Sequence, residues 1–454
     1  MFHHLGQKII ATANFFWGIP VLILLLGGGL YFLIYSRLLP LRYFSHALNI
    51  LSGKYDDPNE PGQLRHYQAL STALAGTVGM GNVSGVAVAI TMGGPGAIFW
   101  MWVSALLGVS TKFFTCTLAV MFRGKDSAGE LQGGPMYFIT EGLGKKWKPL
   151  AVFFSIVAMI GVSPLFQANQ LTQIIRNIIW FPNDIPGVFL TNFIIGTIIA
   201  IIVGIVVLGG IKRIGKVTGS LVPVMVVIYI VTVLYIIFSN SSEIIPAFRL
   251  IFTDAFSGNA VLGGSIGGVI ITGVRRAAFS NEAGMGTAPM AHGAAKTSEP
   301  VREGLVAMLG PVIDTILVCT MTALAIIITN SWVESSAGGI TLTTNAFDTS
   351  IPFLGKYILA LCVLFFAMST MFAFPYYGAK CLGFVAGAKY QFIYNYFFVA
   401  IIIVGAISNL RVIVSLIDIS FALMAFPTVI STIALSPHVK KASTDYFNRL
   451  KNRK

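Results

Sequence analysis

The stretch VFLTNFIIGTIIAIIVGIVVLG (188–209) carries no charged side chain, and comparable apolar blocks recur along the whole chain. About 20 apolar residues at helical rise match the roughly 30 Å hydrocarbon thickness of a bilayer. Backbone N–H and C=O groups left unbonded in hydrocarbon are costly, so a helix, which bonds its own backbone, is the expected conformation for each block. Composition agrees. Of 454 residues, 56% are hydrophobic and only 10% are charged, against roughly a quarter charged in a soluble domain.

Eleven spans are expected: 13–36, 66–92, 96–122, 150–175, 188–209, 216–238, 260–295, 303–330, 354–379, 391–407 and 411–436. The net charge of +13 could suggest a nucleic-acid partner, and the placement of the charges excludes it. Alternate links and the tail 437–454 hold most of the basic residues, among them Arg37, Arg42, Lys145, Lys146, Lys212, Lys440 and Lys451. The opposite side holds Lys8, Arg176, Arg249, Lys356 and Arg411. The positive-inside rule then sets the N-terminus outside and the C-terminal tail in the cytoplasm. The first block lacks a small-residue cleavage pattern and reads as a retained span.

The cysteines (Cys116, Cys319, Cys362, Cys381) all fall in spans, as packing thiols rather than disulfide partners. The six histidines have no metal-ligand spacing. Neither a nucleophile elbow nor a nucleotide-binding loop is present, so an enzyme or an ATP-driven pump is not expected.

Two spans contain their own interruption. AGTVGMGNVSG (75–85) places four glycines and an asparagine at mid-depth, and FSNEAGMG (279–286) places Ser280, Asn281, Glu282 and two glycines in span seven. Each glycine costs about 1 kcal/mol relative to alanine in a helix interior. Glycine in a membrane span often serves helix packing, but two matched stretches sharing Gly-Met-Gly argue for unwinding. An odd offset of five spans makes the second unit enter the membrane from the opposite side. That is an inverted repeat of five helices (66–238 and 260–436) preceded by one extra N-terminal span, in a single transmembrane domain. Paired broken helices at the interface of such repeats mark the binding site of a secondary transporter. The freed N–H groups suit an anion and the freed C=O groups a cation, so a zwitterionic amino acid with Na⁺ would satisfy both.

TVGMGNVSGVAVAITMGGPGAIFWMWVSALLGVSTKFFTCTLAV (77–120), GELQGGPMYFITEGLG (129–144), FSNEAGMGTAPMAHGAAKT (279–297) and PVREGLVAMLGPVIDTILVCTMTAL (300–324) closely resemble the alanine or glycine:cation symporter family. The resemblance implies an all-α polytopic protein with the LeuT-type five-plus-five inverted repeat and two discontinuous helices. It also implies uptake of alanine or glycine coupled to Na⁺, or in some members to H⁺. A remoter resemblance to the neurotransmitter:sodium symporters implies roles for Val78-Gly79-Met80-Gly81-Asn82. Amides near Met80 and Gly81 would receive the substrate carboxylate. Carbonyls of Ala75, Val78 and Phe366 with hydroxyls of Ser369 and Thr370 would hold one Na⁺. Thr77, Asn82 and Ser280 would serve a second.

Other intramembrane polar residues complete the candidate set. Gln167 follows the Pro164 kink in span four and is expected to reach the substrate, and Phe279 to lid it; Asn281 belongs to the same break. Ser369 and Thr370 could instead bond back to their own helix. Intramembrane charges default to functional hypotheses. Arg275 and Arg276 are set against Asp418 as a candidate external gate, or equally a static ion pair. Lys112 is expected to snorkel to the cytoplasmic surface. The commitment is a sodium-coupled importer of small neutral amino acids in the inner membrane, a monomer among lipid. An H⁺-coupled symporter or an ion channel stands as the alternative.

Overall fold

A computed structural model describes residues 2–180, 187–209, 211–257, 266–333 and 339–452; the first residues of the seventh expected span (260–265), and Arg453 and Lys454 of the tail, lie outside them. The molecule is almost wholly helical. Its one sheet among the described residues is a two-stranded antiparallel hairpin, Gly124–Lys125 with Leu131–Gln132. Among the described residues seven helices are long and apolar enough to cross a membrane, and up to ten spans result when each bent pair counts as one. The remaining expected span, the seventh, consists of Ile266–Asn281 and Thr287–His292, split by a turn. The chain is therefore an all-α, multi-pass membrane protein.

Several boundaries differ from the sequence reading for local reasons. Span one extends back to Phe2 and bends by 45° between the helices ending at Phe16 and beginning at Ile19. Gly18 and Pro20 interrupt the ladder there. The segment expected to link spans six and seven forms the helix Ile244–Ser257, turned 84° from its predecessor. Phe248, Phe252 and Phe256 pack it on Phe99, Trp100 and Trp102. The link after span eight carries a further helix, Ile340–Ser350. The tail is no free appendage. Helix Leu410–Asn452 continues through it, and Tyr446 and Phe447 are buried against His46 and Tyr43 of the link after span one, with a stacked ring pair at 3.6 Å.

Span three, Ala97–Met121, lies at the centre. It packs along the start of span eight and against both halves of span seven. Lys112 on it is buried rather than snorkelling, at 2% exposure. A Cβ on Gly310 would come within 3.1 Å of the Lys112 amine, so the bare backbone of span eight makes the space this side chain fills.

Candidate functional site

Both interruptions are real breaks. Helix His66–Thr77 stops where Val78 turns extended (φ −73°, ψ 95°), and the chain resumes as one wide turn, Gly81–Gly85, then helix Val86–Gly93. The halves are bent by 51°. In span seven the ladder stops at Asn281, and Glu282, Gly284 and Gly286 take positive φ values of 54°, 87° and 89°. Two of those three positions are glycine, the residue that occupies this region without strain.

The broken helices run in opposite directions. The start of the first meets the end of the second, where Leu64 pairs with Ala295 and the N–H groups of Gln63 and Leu64 both donate to the Ala294 carbonyl. His66 and His292 set their Nδ1 atoms against the two carboxylate oxygens of the fully buried Glu303. Arg123 ties the same strands together by donating to the carbonyls of Pro61, Gly293, Ala295 and Thr297.

At mid-depth the breaks enclose a narrow cavity lined by Gly76, Thr77, Met80, Gly81, Gly161, Ser163, Gln167, Phe279, Glu282, Thr370, Phe374, Ile417 and Phe421. The space open to the centre of a water-sized sphere is about 10 Å³, roughly the room for one water. Of the residues expected to bind substrate, Thr77, Met80, Gly81, Gln167 and Phe279 line it. Among the described residues the buried Gln167 Oε1 and Ser163 hydroxyl have no hydrogen-bond partner. Buried polar groups are nearly always paired, so a water or a polar guest in the cavity would satisfy both. Phe279 closes the cavity edge-on to Phe166 at 4.9 Å, with Phe421 beside it at 5.9 Å.

Gly79, Asn82, Ser280 and Asn281 do not line the cavity. Asn82 accepts from the Gly79 N–H at 2.7 Å and donates to the Asp314 carboxylate at 2.8 Å and carbonyl at 2.9 Å. Ser280 and Thr315 donate to the other Asp314 oxygen at 2.5 and 2.8 Å. Asn281 donates to Thr315 and accepts from the Ala283 N–H. These residues form a polar knot behind the breaks, centred on Asp314, at a turn of span eight wound more widely than an α-helix (Val312–Cys319). Glu282, by contrast, reaches the cavity, and its carboxylate accepts from the Thr287 hydroxyl.

The expected cation ligands are partly brought together. The Thr370 hydroxyl lies 3.2 Å from the Ala75 carbonyl and 3.1 Å from that of Phe366, and Ser369 donates to the same Phe366 carbonyl at 3.0 Å. Gly79 is pressed against this group, since a Cβ there would sit 2.7 Å from Thr370 Oγ1. No side-chain hydrogen bond reaches the Val78 carbonyl among the contacts of this cluster. Neutral oxygens of this kind suit a hard cation.

Above the cavity, Arg275 and Arg276 both meet Asp418. Arg275 donates through Nε at 2.7 Å, and Arg276 through one terminal nitrogen to both carboxylate oxygens at 2.7 and 2.6 Å. Asp418 is fully buried. Trp17 of span one donates to its carbonyl, and Asn14 accepts from Arg275. The Arg276 guanidinium lies 5.2 Å from the centre of the Phe279 ring, so the ion pair rests directly on the ring that closes the cavity.

Sequence reasoning missed Gly76, Gly161, Ser163, Phe374, Ile417 and Phe421. Three had a signal. Phe374 is one turn beyond Thr370, Phe421 one turn beyond Asp418, and Ser163 immediately precedes the Pro164 kink. On the same helix as Gln167, Asn169 and Gln170 act as interhelical ties, to the carbonyls of Gly405 and Ser408 and the N–H of Ile340.

Two oppositely directed broken helices around a mid-membrane cavity, in a bundle of this kind, are the construction of a secondary transporter. The whole chain, residues 3–454, matches the sodium:alanine symporter family. It is 39% identical to the sodium/alanine symporter AgcS of Methanococcus maripaludis, over 98% of both chains. An uncharacterized transporter of Haemophilus influenzae is 40% identical over 97% of this chain and 96% of its own. A probable sodium/glutamine symporter, GlnT of Bacillus subtilis, is 33% identical over 98% and 91%. The chain belongs to the sodium:alanine symporter family, a family of transporters that implies Na⁺ as the co-transported ion and an amino acid as the cargo.

Proposed function

We propose that this chain imports a small neutral amino acid, alanine or glycine, together with Na⁺ by alternating access. The observation that carries the reading is the cavity between the breaks: Gly76, Thr77, Met80 and Gly81 on one wall, the unpaired Gln167 oxygen and Ser163 hydroxyl on another, and aromatic rings over the top. Its size favours the smallest substrates. A Cβ on Gly81 would already stand 3.2 Å from the Ser280 backbone. Amides near Met80 and Gly81 receive the carboxylate, and Gln167 turns its oxygen to the ammonium group. Na⁺ sits where the Ala75 and Phe366 carbonyls meet the Ser369 and Thr370 hydroxyls, with the Val78 carbonyl closing the shell. Binding there joins the first break to span nine and links ion occupancy to the position of the broken helices.

The antiparallel broken helices support the five-plus-five inverted repeat, and the Arg275–Arg276–Asp418 pair acts as the outer gate. The excess of Lys and Arg on alternate links favours an N-terminus outside and a tail in the cytoplasm. Uptake of labelled alanine into proteoliposomes tests the whole reading. Accumulation is expected with an inward Na⁺ gradient and is lost when choline replaces Na⁺ at fixed pH. Ser369→Ala and Thr370→Ala are expected to raise the Na⁺ concentration for half-maximal uptake. Unchanged Na⁺ dependence in both variants would remove the ion site, and accumulation in choline would make H⁺ the driving ion.

A further inference from the structure

A second, larger cavity lies far from the substrate site. It sits where the first cytoplasmic link, the inner end of span three and the terminal helix converge, and it holds about 470 Å³ by the same measure. Its floor is apolar and buried: Phe113 and Phe114 of span three and Phe447 of the terminal helix. Its rim is basic, with Arg37, Arg42, Lys440 and Lys451. Among the described residues no acidic side chain lines it. Among the described residues none of these four cations has a carboxylate partner. Lys440 rests on the Tyr35 ring, 4.2 Å from its centre, and Ser443 and Thr444 add hydroxyls beside it.

The surroundings are equally specific. Leu38 and Leu41, between the two arginines, are 43% and 45% exposed, and Ile34 just before them is 65% exposed. Apolar side chains presented outward beside cations mark a segment lying at the level of lipid head groups. Arg37 and Leu38 take positive φ values of 54° and 63°, uncommon for residues with a Cβ. Four cations around an aromatic floor would repel one another if nothing anionic lay between them.

We propose that this cavity binds the phosphate head group of an anionic phospholipid of the inner leaflet. The phosphate lies among Arg37, Arg42, Lys440 and Lys451, and the start of an acyl chain runs out past Leu38 and Leu41. The lipid bridges the link after span one to the terminal helix over the end of span three. Basic pockets between spans on the cytoplasmic side hold such head groups in general. The assignment stands apart from the choice of transported substrate, because it uses no residue of that site.

The test uses the full-length protein in neutral detergent, titrated with phosphatidylglycerol or phosphatidylcholine and read by native mass spectrometry and by thermal midpoint. Phosphatidylglycerol is expected to bind and raise the midpoint, while phosphatidylcholine does neither. Arg42→Gln with Lys440→Gln is expected to weaken phosphatidylglycerol binding roughly 25-fold, at about fivefold per lost charge. Lys451→Gln alone, on the last exposed turn and harmless to folding, is expected to weaken it about fivefold. Lys54→Gln with Lys389→Gln, cytoplasmic cations outside the cavity, is expected to leave affinity within about twofold. Equal affinity in wild type and Lys451→Gln overturns the proposal, as does an equal response to both lipids. Inorganic phosphate raising the midpoint as much as phosphatidylglycerol overturns the lipid as occupant.

Discussion

Gly79 has no room for a methyl group, because a Cβ there would meet the Thr370 hydroxyl at 2.7 Å. Gly79→Ala must push span nine away from the first break, and overpacking of this kind costs about 1–3 kcal/mol. The expected result is a rise of at least about fivefold in the Na⁺ concentration for half-maximal uptake; an unchanged Na⁺ curve would separate this contact from ion binding. Gly286 is constrained differently. Its φ is 89°, and atoms of Phe154, Pro135 and Thr428 lie 2.7–2.8 Å from the point a Cβ would occupy. Gly286→Ala is expected to cost about 1–3 kcal/mol, seen as a lower thermal midpoint of the purified protein. These glycines were legible as a pair of anomalies because glycine and polar residues stand out against an apolar span. The roles of the amides between them were less legible. Asn82 and Asn281 have the composition of ligands, yet both spend their hydrogen bonds on neighbouring backbone and on Asp314 and Thr315. One sequence does not show which way a side chain turns.

At the scale of elements, the two faces of the bundle are fastened by different chemistry. On one side, a guanidinium pair grips one carboxylate. Removing one partner of a buried ion pair costs about 3–5 kcal/mol, so Asp418→Asn is expected to loosen the cover over Phe279. Faster loss of prebound labelled alanine on dilution checks this, whereas an unchanged rate marks the pair as a static tie. On the other side, the His66–Glu303–His292 cluster and Arg123 join the start of one broken helix to the end of the other. An amide in place of Glu303 offers one acceptor oxygen where the carboxylate offers two. Glu303→Gln is expected to open this end and expose Cys381, which is buried beside Met290, to a membrane-permeant maleimide. Peptide mapping would locate the label, and protection equal to wild type would count against a latch. The sequence signalled the outer pair through its charges inside a span. The inner cluster was invisible, because its members fall at three span ends separated along the chain and meet only through the antiparallel packing of the breaks.

For the molecule as a whole, hydropathy delivered the helical class and the broken spans, since both follow from the bilayer's demand that backbone groups be satisfied. It failed at the helices that do not cross: Ile244–Ser257 and Ile340–Ser350 read as links because each mixes polar residues into a short apolar pattern. It also gave the tail only as a basic segment after the last span, with no sign that the aromatic faces of Tyr446 and Phe447 dock it. The terminal helix, Leu410–Asn452, carries Asp418 of the guanidinium clasp and Lys440 of the basic cavity. They stand about 33 Å apart along its axis at 1.5 Å per residue, close to a bilayer's hydrocarbon depth. One helix thus joins the buried clasp over the central cavity to the basic cavity near its far end, so a tilt that frees the carboxylate also moves the lysine.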